Sequence, residues 1–155
     1  QVGDRGIVIG NGFEGEVVDV QKFQDLTVVK LKTKKGVLSP GSKYQQKTDE
    51  ALRALTAKNH TATHLLHWAL REVLGKHVKQ SGSLVNPELL RFDFSHTKPM
   101  TPDEIKRVED LVNDKIWQNK SVSKKEMKKD DATKLGAIAM FGEKYGELVR
   151  VVSVG

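Results

Sequence analysis

Residues 59–75 read NHTATHLLHWALREVLG, and a helical pattern of apolar residues runs through this stretch. The pattern begins near Thr48 and ends at Gly75, with an interruption predicted at residues 56–59. Gly75 stands where a helix C-cap is expected, because glycine readily adopts the left-handed backbone that ends many helices. The stretch therefore predicts one main helix, and the fold class follows from the segments on either side of it.

The 46 residues before this helix are typical of β structure. Valine and isoleucine are frequent in three segments, and a glycine-rich turn separates the first two. The predicted strands are 7–9, 14–20 and 26–37. Residues 36–41, which include Pro40, mark the end of the last predicted strand of this segment. We predict a small antiparallel β-barrel subdomain over residues 1–46.

The segment after the helix predicts a mixture of strands and a second main helix. Thr101-Pro102-Asp103-Glu104 has the form of a capping box with proline at the first helical position. One face of the helix that follows carries Ile105, Val108, Val112 and Ile116. Further strands are predicted at 78–85, 91–94, 124–127 and 149–152, whereas 130–135 is ambiguous and 136–141 is a segment of small apolar residues. The predicted class is α+β: the small antiparallel β-barrel, then a core over residues 47–155 in which an antiparallel sheet packs with two main helices.

The composition excludes several classes of protein. The chain has no cysteine, so disulfides and thiol catalysis are excluded and metal ligands are limited to histidine and carboxylates. No run of about 18 apolar residues and no charged-then-apolar leader occurs, so the sequence predicts neither a membrane span nor a signal peptide, and we expect a cytoplasmic protein.

The charge balance suits an anionic partner such as RNA. Lysine and arginine outnumber the acids by 26 to 20, which gives a net charge of +6. The lysines concentrate in two runs, at Lys30, Lys32, Lys34 and Lys35 and at Lys120, Lys124, Lys125, Lys128 and Lys129. The pattern leaves two interpretations open for them, a solvated surface or contacts to phosphates.

Three histidines are spaced at i, i+4 and i+7 in the predicted helix. At about 100° per residue, with His60 at zero, His64 falls near 40° and His67 near 340°, whereas the apolar residues cluster at roughly 140–240°. The histidines are therefore predicted to face away from the core, either on a solvated face or lining a cleft. His60 and His64 could share a metal ion, whereas His67 lies too far from His60 and is predicted to be a supporting or surface residue.

A metalloprotease is disfavoured, because Thr61 stands where that class needs a glutamate base beside the first histidine. A zinc ion would also need at least one more protein ligand. Within the chain the candidates are His96, Asp93, Asp130 or another acid, and His96 can equally be interpreted as a loop histidine that binds no metal.

Five motifs together resemble a known family. The histidine stretch 59–67 is followed by Gln80-Ser81-Gly82-Ser83, by residues 90–96 (LRFDFSH), by 142–146 (GEKYG) and by 149–152 (VRVV). In order and spacing they resemble the editing domain of alanyl-tRNA synthetase and its free-standing relatives, and the opening residues 1–6 resemble the start of the small barrel before it. The resemblance covers essentially the whole chain.

This resemblance implies a zinc-associated site that hydrolyses seryl- or glycyl-tRNA for alanine, so the expected partner is mischarged tRNA(Ala), with no membrane or DNA partner. It implies that His60 and His64 are two zinc ligands and that Gln80 and Ser81 line the amino-acid pocket. In the family a Cys-x-x-x-His motif beyond the VRVV strand supplies the other two ligands. No such motif is present here, so we expect a stretch that ends before its zinc site is complete and that need not hydrolyse the ester alone.

Three alternatives stay open. The editing domain of threonyl-tRNA synthetase shares the histidine pair and the GEKYG-like segment, but it usually lacks the NHTATHLLH form. The second alternative is a free-standing deacylase of the alanyl type, and the third is a non-catalytic tRNA-binding module. No nucleotide-binding motif occurs, so ATP-dependent charging is expected only of a parent enzyme.

Overall fold

The computed structural model describes residues 1–137 and 146–155, which form eight strands and three helices. In chain order they are β1 (Gly6–Gly10), β2 (Phe13–Phe23), β3 (Leu26–Lys35), β4 (Gln45–Thr48), α1 (Glu50–Leu74), β5 (Gln80–Val85), β6 (Leu90–Phe94), α2 (Pro102–Trp117), β7 (Val122–Lys128), α3 (Lys129–Lys134) and β8 (Leu148–Val154). Every strand pairing with a given register is antiparallel. The α+β class is confirmed.

The chain divides into two compact units. The first comprises Gln1–Thr63 and Ser83–Arg91, and the second comprises His64–Gly82 and Phe92–Gly155. Helix α1 contributes its first half to the first unit and its second half to the second.

The first unit contains a four-stranded antiparallel sheet in the order β3-β2-β1-β4. Its core consists of Val8, Phe13 and Val17, and the ring of Tyr44 meets Phe13 edge-on at 5.7 Å between centroids. Strands β3 and β4 are the two edges, so the sheet is open and the predicted closed barrel is wrong. The predictions also missed β4, because its sequence QQKT is polar and fully exposed, so pairing with β1 rather than burial fixes it as a strand.

Gly36 anchors the end of β3. Its φ is +71°, and a Cβ built there would lie 2.3 Å from the carbonyl oxygen of Gly12. Only glycine adopts this conformation without strain and leaves room for that oxygen. The turn after β3 therefore depends on the absence of a side chain at this position.

Helix α1 is continuous over 25 residues, so the interruption predicted at 56–59 is wrong. The hydroxyl of Thr56 donates to the carbonyl of Leu52 at 2.9 Å, which satisfies this polar group inside the helix. As predicted, the helix ends before Gly75, whose φ is +112° and whose N–H donates to Arg71 at 3.0 Å.

The second unit has a core of Ala69, Leu70, Val78 and Val108, against which further residues of α1, α2 and β6 pack. Helix α2 begins at the predicted capping box, in which Thr101 and Glu104 exchange hydrogen bonds. Strand β5 pairs with β6, and β7 pairs with β8. The ambiguous segment at 130–135 belongs mainly to the short helix α3.

Parts of two predicted segments fall outside the described residues. These are the last four residues of the apolar segment 136–141 and all of the GEKYG motif except Gly146. Among the described residues, no helix combines the length and apolar character needed to cross a membrane.

Candidate functional site

Helix α1 presents His60 and His64 one turn apart. His60 is exposed and His64 is half-buried. Burial lowers the pKa of His64, because desolvation disfavours the charged imidazolium. The imidazole is therefore neutral at pH 7, which is the form that binds a metal ion.

His67 is buried, so of its two predicted positions the surface one is wrong, whereas the supporting role stays a prediction. The residue is 7% exposed, and its ring lies 5.1 Å from the ring of Phe92 between centroids. Burial lowers its pKa, and a hydrogen bond with the backbone of Val78 partly opposes this shift. Its Nε2 atom is buried without a hydrogen-bond partner. His67 is thus a neutral imidazole inside the second unit.

The predicted core face of α1 was misplaced for a physical reason. Thr56 and Thr63 are only 4% and 2% exposed, and each hydroxyl donates to the carbonyl four residues earlier in the helix. Both threonines can be buried because their polar groups are satisfied within the helix. The buried face of α1 therefore lies about 100° closer to the histidines than the apolar residues alone predict.

No further ligand joins the two histidines of α1 among the described residues. Within 1–137 and 146–155, no three histidine or carboxylate side chains gather into a set that could hold a metal ion. His96 pairs instead with His77, with 3.0 Å between Nδ1 and Nε2 and rings stacked at 5.2 Å. The three candidate third ligands, His96, Asp93 and Asp130, therefore do not complete a metal site there.

The pairing of His77 with His96 was missed by the sequence analysis. The backbone N–H of Ser95 donates to the carbonyl of Lys79 at 3.1 Å, which aligns the segments before β5 and after β6. The signal was present in the predicted strands at 78–85 and 91–94, because antiparallel pairing brings the start of one beside the end of the other.

Gln80 and Ser81 are the first two residues of β5. Gln80 is half-buried and Ser81 is exposed. Successive side chains of a strand point to opposite faces, so the two residues serve different sides of the β5–β6 pair. Gln80 is the one of the two that is partly shielded from water.

The first lysine run lies on β3, opposite acidic residues of β2. Lys30 is in register with Asp19, and Lys32 is in register with Glu16. Lys34 forms an ion pair with Glu16 at 3.0 Å, and this hydrogen bond lowers the pKa of Glu16. Acids on the partner strand thus offset much of the charge of this run.

Comparison with known proteins gives a consistent result. The chain is 49% identical to the alanine–tRNA ligase of Acetivibrio thermocellus over 156 aligned residues, 48% identical to that of Fusobacterium nucleatum over 154, and 53% identical to that of Parvibaculum lavamentivorans over 157. These alignments cover 99–100% of the chain but 18% of each relative. No protein-family model matches the chain. The whole-length identity to several curated enzymes shows that the chain belongs to the alanyl-tRNA synthetases, of which it represents a fragment.

Proposed function

We propose that this chain is the editing part of an alanine–tRNA ligase, in which it hydrolyses the ester that joins serine or glycine to tRNA(Ala). The observation that carries the proposal is the position of His60 and His64 one turn apart on α1, where His60 is exposed and His64 is half-buried. The chain that holds them is about half identical to alanine–tRNA ligases throughout its length. The matching enzymes make a cytoplasmic location the natural expectation for this activity.

The chemistry of alanine selection creates the need for such a site. A pocket built for alanine cannot exclude the smaller glycine, and one added hydroxyl gives only weak discrimination against serine. A second site that hydrolyses the wrong ester removes both errors. An editing role is therefore favoured over a purely structural role for the histidine-bearing helix.

A zinc ion fits the two histidines as half of a tetrahedral site. Their spacing of one helical turn suits a shared ion, and the neutral imidazole of His64 is in the binding form. Two further ligands would have to come from outside the described residues. When bound, zinc would polarise the ester carbonyl or lower the pKa of water.

The protein's own residues would then orient the substrate. We assign Gln80 to the recognition of the amino acid, because its amide can both donate to and accept from the serine hydroxyl. Ser81, on the opposite and exposed face, is assigned a contact at the rim of the pocket. A buried His67 packed against Phe92 would support the helix that carries the two ligands.

The test replaces the matching stretch of the Acetivibrio thermocellus enzyme with this chain. Seryl-tRNA(Ala) hydrolysis and zinc content are measured for the chimera, for its His60→Ala/His64→Ala variant and for a matched His77→Ala control. We expect the double variant to lose zinc and at least about a hundredfold of the hydrolysis rate. The control should keep both, and alanine charging should persist in all three.

Two outcomes would contradict the proposal. Undiminished hydrolysis by the double variant would remove the histidine pair from the mechanism, and absence of hydrolysis in the parent chimera would refute the editing role. The isolated chain is measured in parallel, which shows whether it supports the reaction without the rest of the enzyme.

A further inference from the structure

The β7–β8 hairpin has one exposed face that is rich in cations. In the antiparallel register, Lys124, Glu126 and Lys128 lie opposite Val152, Arg150 and Leu148, so these six side chains share a face. All six are exposed, including the apolar Val152 at 45% and Leu148 at 68%. We call Lys124, Lys128 and Arg150 the basic face.

The lysines of β3 lie opposite acids of β2, but the lysines of the β7–β8 hairpin do not lie opposite acids. Lys124 faces a valine and Lys128 faces a leucine across the strands. Glu126, opposite Arg150, is the only carboxylate on the two strands, both of which are fully described. Helix α3, which contacts both strands, carries two lysines and two aspartates and so adds no net charge. The two strands therefore keep an excess of positive charge.

An exposed aromatic ring lies close to this hairpin in the chain. Trp117, the last residue of α2, is 85% exposed. Ser121 follows four residues later, within at most about 14 Å along the chain, and accepts a hydrogen bond from the N–H of Gly155 at 3.2 Å. An exposed aromatic ring together with exposed cations is the combination by which proteins stack bases and hold phosphates.

We propose that the basic face is a contact surface for the phosphate backbone of tRNA and that Trp117, which precedes β7 in the chain, stacks on a base. The proposal rests on the proposed function in taking tRNA as the partner, and it assigns that partner a binding surface distinct from the histidines of α1. Charge decides between RNA and a protein partner, because three cations with one carboxylate complement a polyanion.

The experiment measures the affinity of the chain for uncharged tRNA(Ala) by fluorescence anisotropy over a range of salt concentrations. It compares Lys124→Gln/Lys128→Gln with the matched pair Lys30→Gln/Lys32→Gln, which removes the same charge from β3. We expect Lys124→Gln/Lys128→Gln to lose roughly tenfold in affinity at low salt and to lower the salt slope by about 1.5. Fewer counterions are released on binding when two phosphate contacts are missing. The β3 pair should lose no more than about threefold, because the acids opposite these lysines are left unopposed, and it should keep the salt slope of the parent, because no phosphate contact is lost.

A second readout uses the intrinsic fluorescence of the two tryptophans. Stacking of a base on Trp117 should quench its emission, so the quenching should disappear in Trp117→Phe and remain in Trp68→Phe. Trp68 is half-buried beneath the ammonium of Lys115, 5.1 Å from the ring centroid, which makes it the matched control.

The outcomes separate this proposal from the editing role. Equal losses in the β7 and β3 pairs would overturn it, because the effect would then reflect net charge alone. Full affinity in the β7 pair would also overturn it and would leave the basic face to a protein partner. Both results are obtained with uncharged tRNA, so they stand whether or not the chimera hydrolyses seryl-tRNA(Ala). Circular dichroism of each variant excludes misfolding as the cause.

Discussion

The two basic hairpins of this protein differ in what lies across from their lysines. On β3, Lys30 and Lys32 face Asp19 and Glu16, whereas on β7 the lysines at 124 and 128 face apolar residues. Exposed lysines paired with acids contribute little to binding a polyanion, because their fields largely cancel at a distance. A lysine run therefore says little about function until its cross-strand neighbours are known.

The hairpins also differ in their structural role. One side of β2 and β3 packs on the core of the first unit through Val20, Val29 and Leu31. The basic face of β7 and β8 is exposed throughout. Substitutions should accordingly affect the stability of the first hairpin and the binding properties of the second.

The largest effect on stability is expected from Gly36→Ala, which disturbs the turn after β3. The new Cβ would meet the Gly12 carbonyl oxygen at 2.3 Å in a backbone with φ of +71°. We expect a loss of about 3 kcal/mol in the free energy of unfolding, measured by urea denaturation. Gly41→Ala is the matched control, because Gly41 has φ of +77° with no atom within 4 Å of its Cβ position. It should cost about 1 kcal/mol, and equal losses would show that the contact with Gly12 is unimportant.

An intermediate effect is expected from acid, and it should distinguish the two units. The pKa of the buried His67 is lowered, chiefly by desolvation, so the unfolded chain binds more protons once the pH falls below its normal value of about 6.5. Stability should therefore decrease from pH 7 to pH 5. Hydrogen exchange should place this loss in the second unit, because the core cluster of the first contains no histidine.

His67→Phe should flatten this pH dependence while lowering stability at pH 7 by about 1 kcal/mol. His60→Phe is the control, since His60 is exposed. An unchanged pH dependence in His67→Phe would mean that another group is responsible for the acid sensitivity.

The smallest effect is expected when the first hairpin is made to resemble the second. Glu16→Gln/Asp19→Asn removes the acids opposite Lys32 and Lys30. We expect tRNA affinity to rise about threefold at low salt, measured by the same anisotropy titration. Glu72→Gln/Glu88→Gln provides a charge-matched control, because both residues are exposed and lie outside the two hairpins. A rise in neither variant, or the same rise in both, would contradict the role assigned to cross-strand neutralisation.

The sequence predicted the features that depend on local signals. The capping box at Thr101, the end of α1 at Gly75 and most strands are formed by residues close together in the chain. Long-range features were not predictable in this way. Strand β4 depends on its pairing with β1, and the continuity of α1 depends on threonine hydroxyls that bond within the helix.

The candidate site shows the same division. The helical spacing of His60 and His64 was evident from the sequence, whereas the burial of His67 and the His77–His96 pair depend on tertiary packing. The metal ligation and the roles of Gln80 and Ser81 stay predictions. Residues 138–145, which include most of the GEKYG motif, lie outside the described part of the chain.

The connections within the two hairpins bear on the order in which the protein folds. Only Gln24 and Asp25 separate β2 from β3, and Gln24 has φ of +55° in the tight turn. Nineteen residues, 129–147, separate β7 from β8. Closing the longer connection costs roughly 2 kcal/mol more in chain entropy, because this cost grows with the logarithm of loop length. The β2–β3 hairpin can therefore act as an early folding nucleus, and the β7–β8 hairpin should form later, because its longer connection must close first.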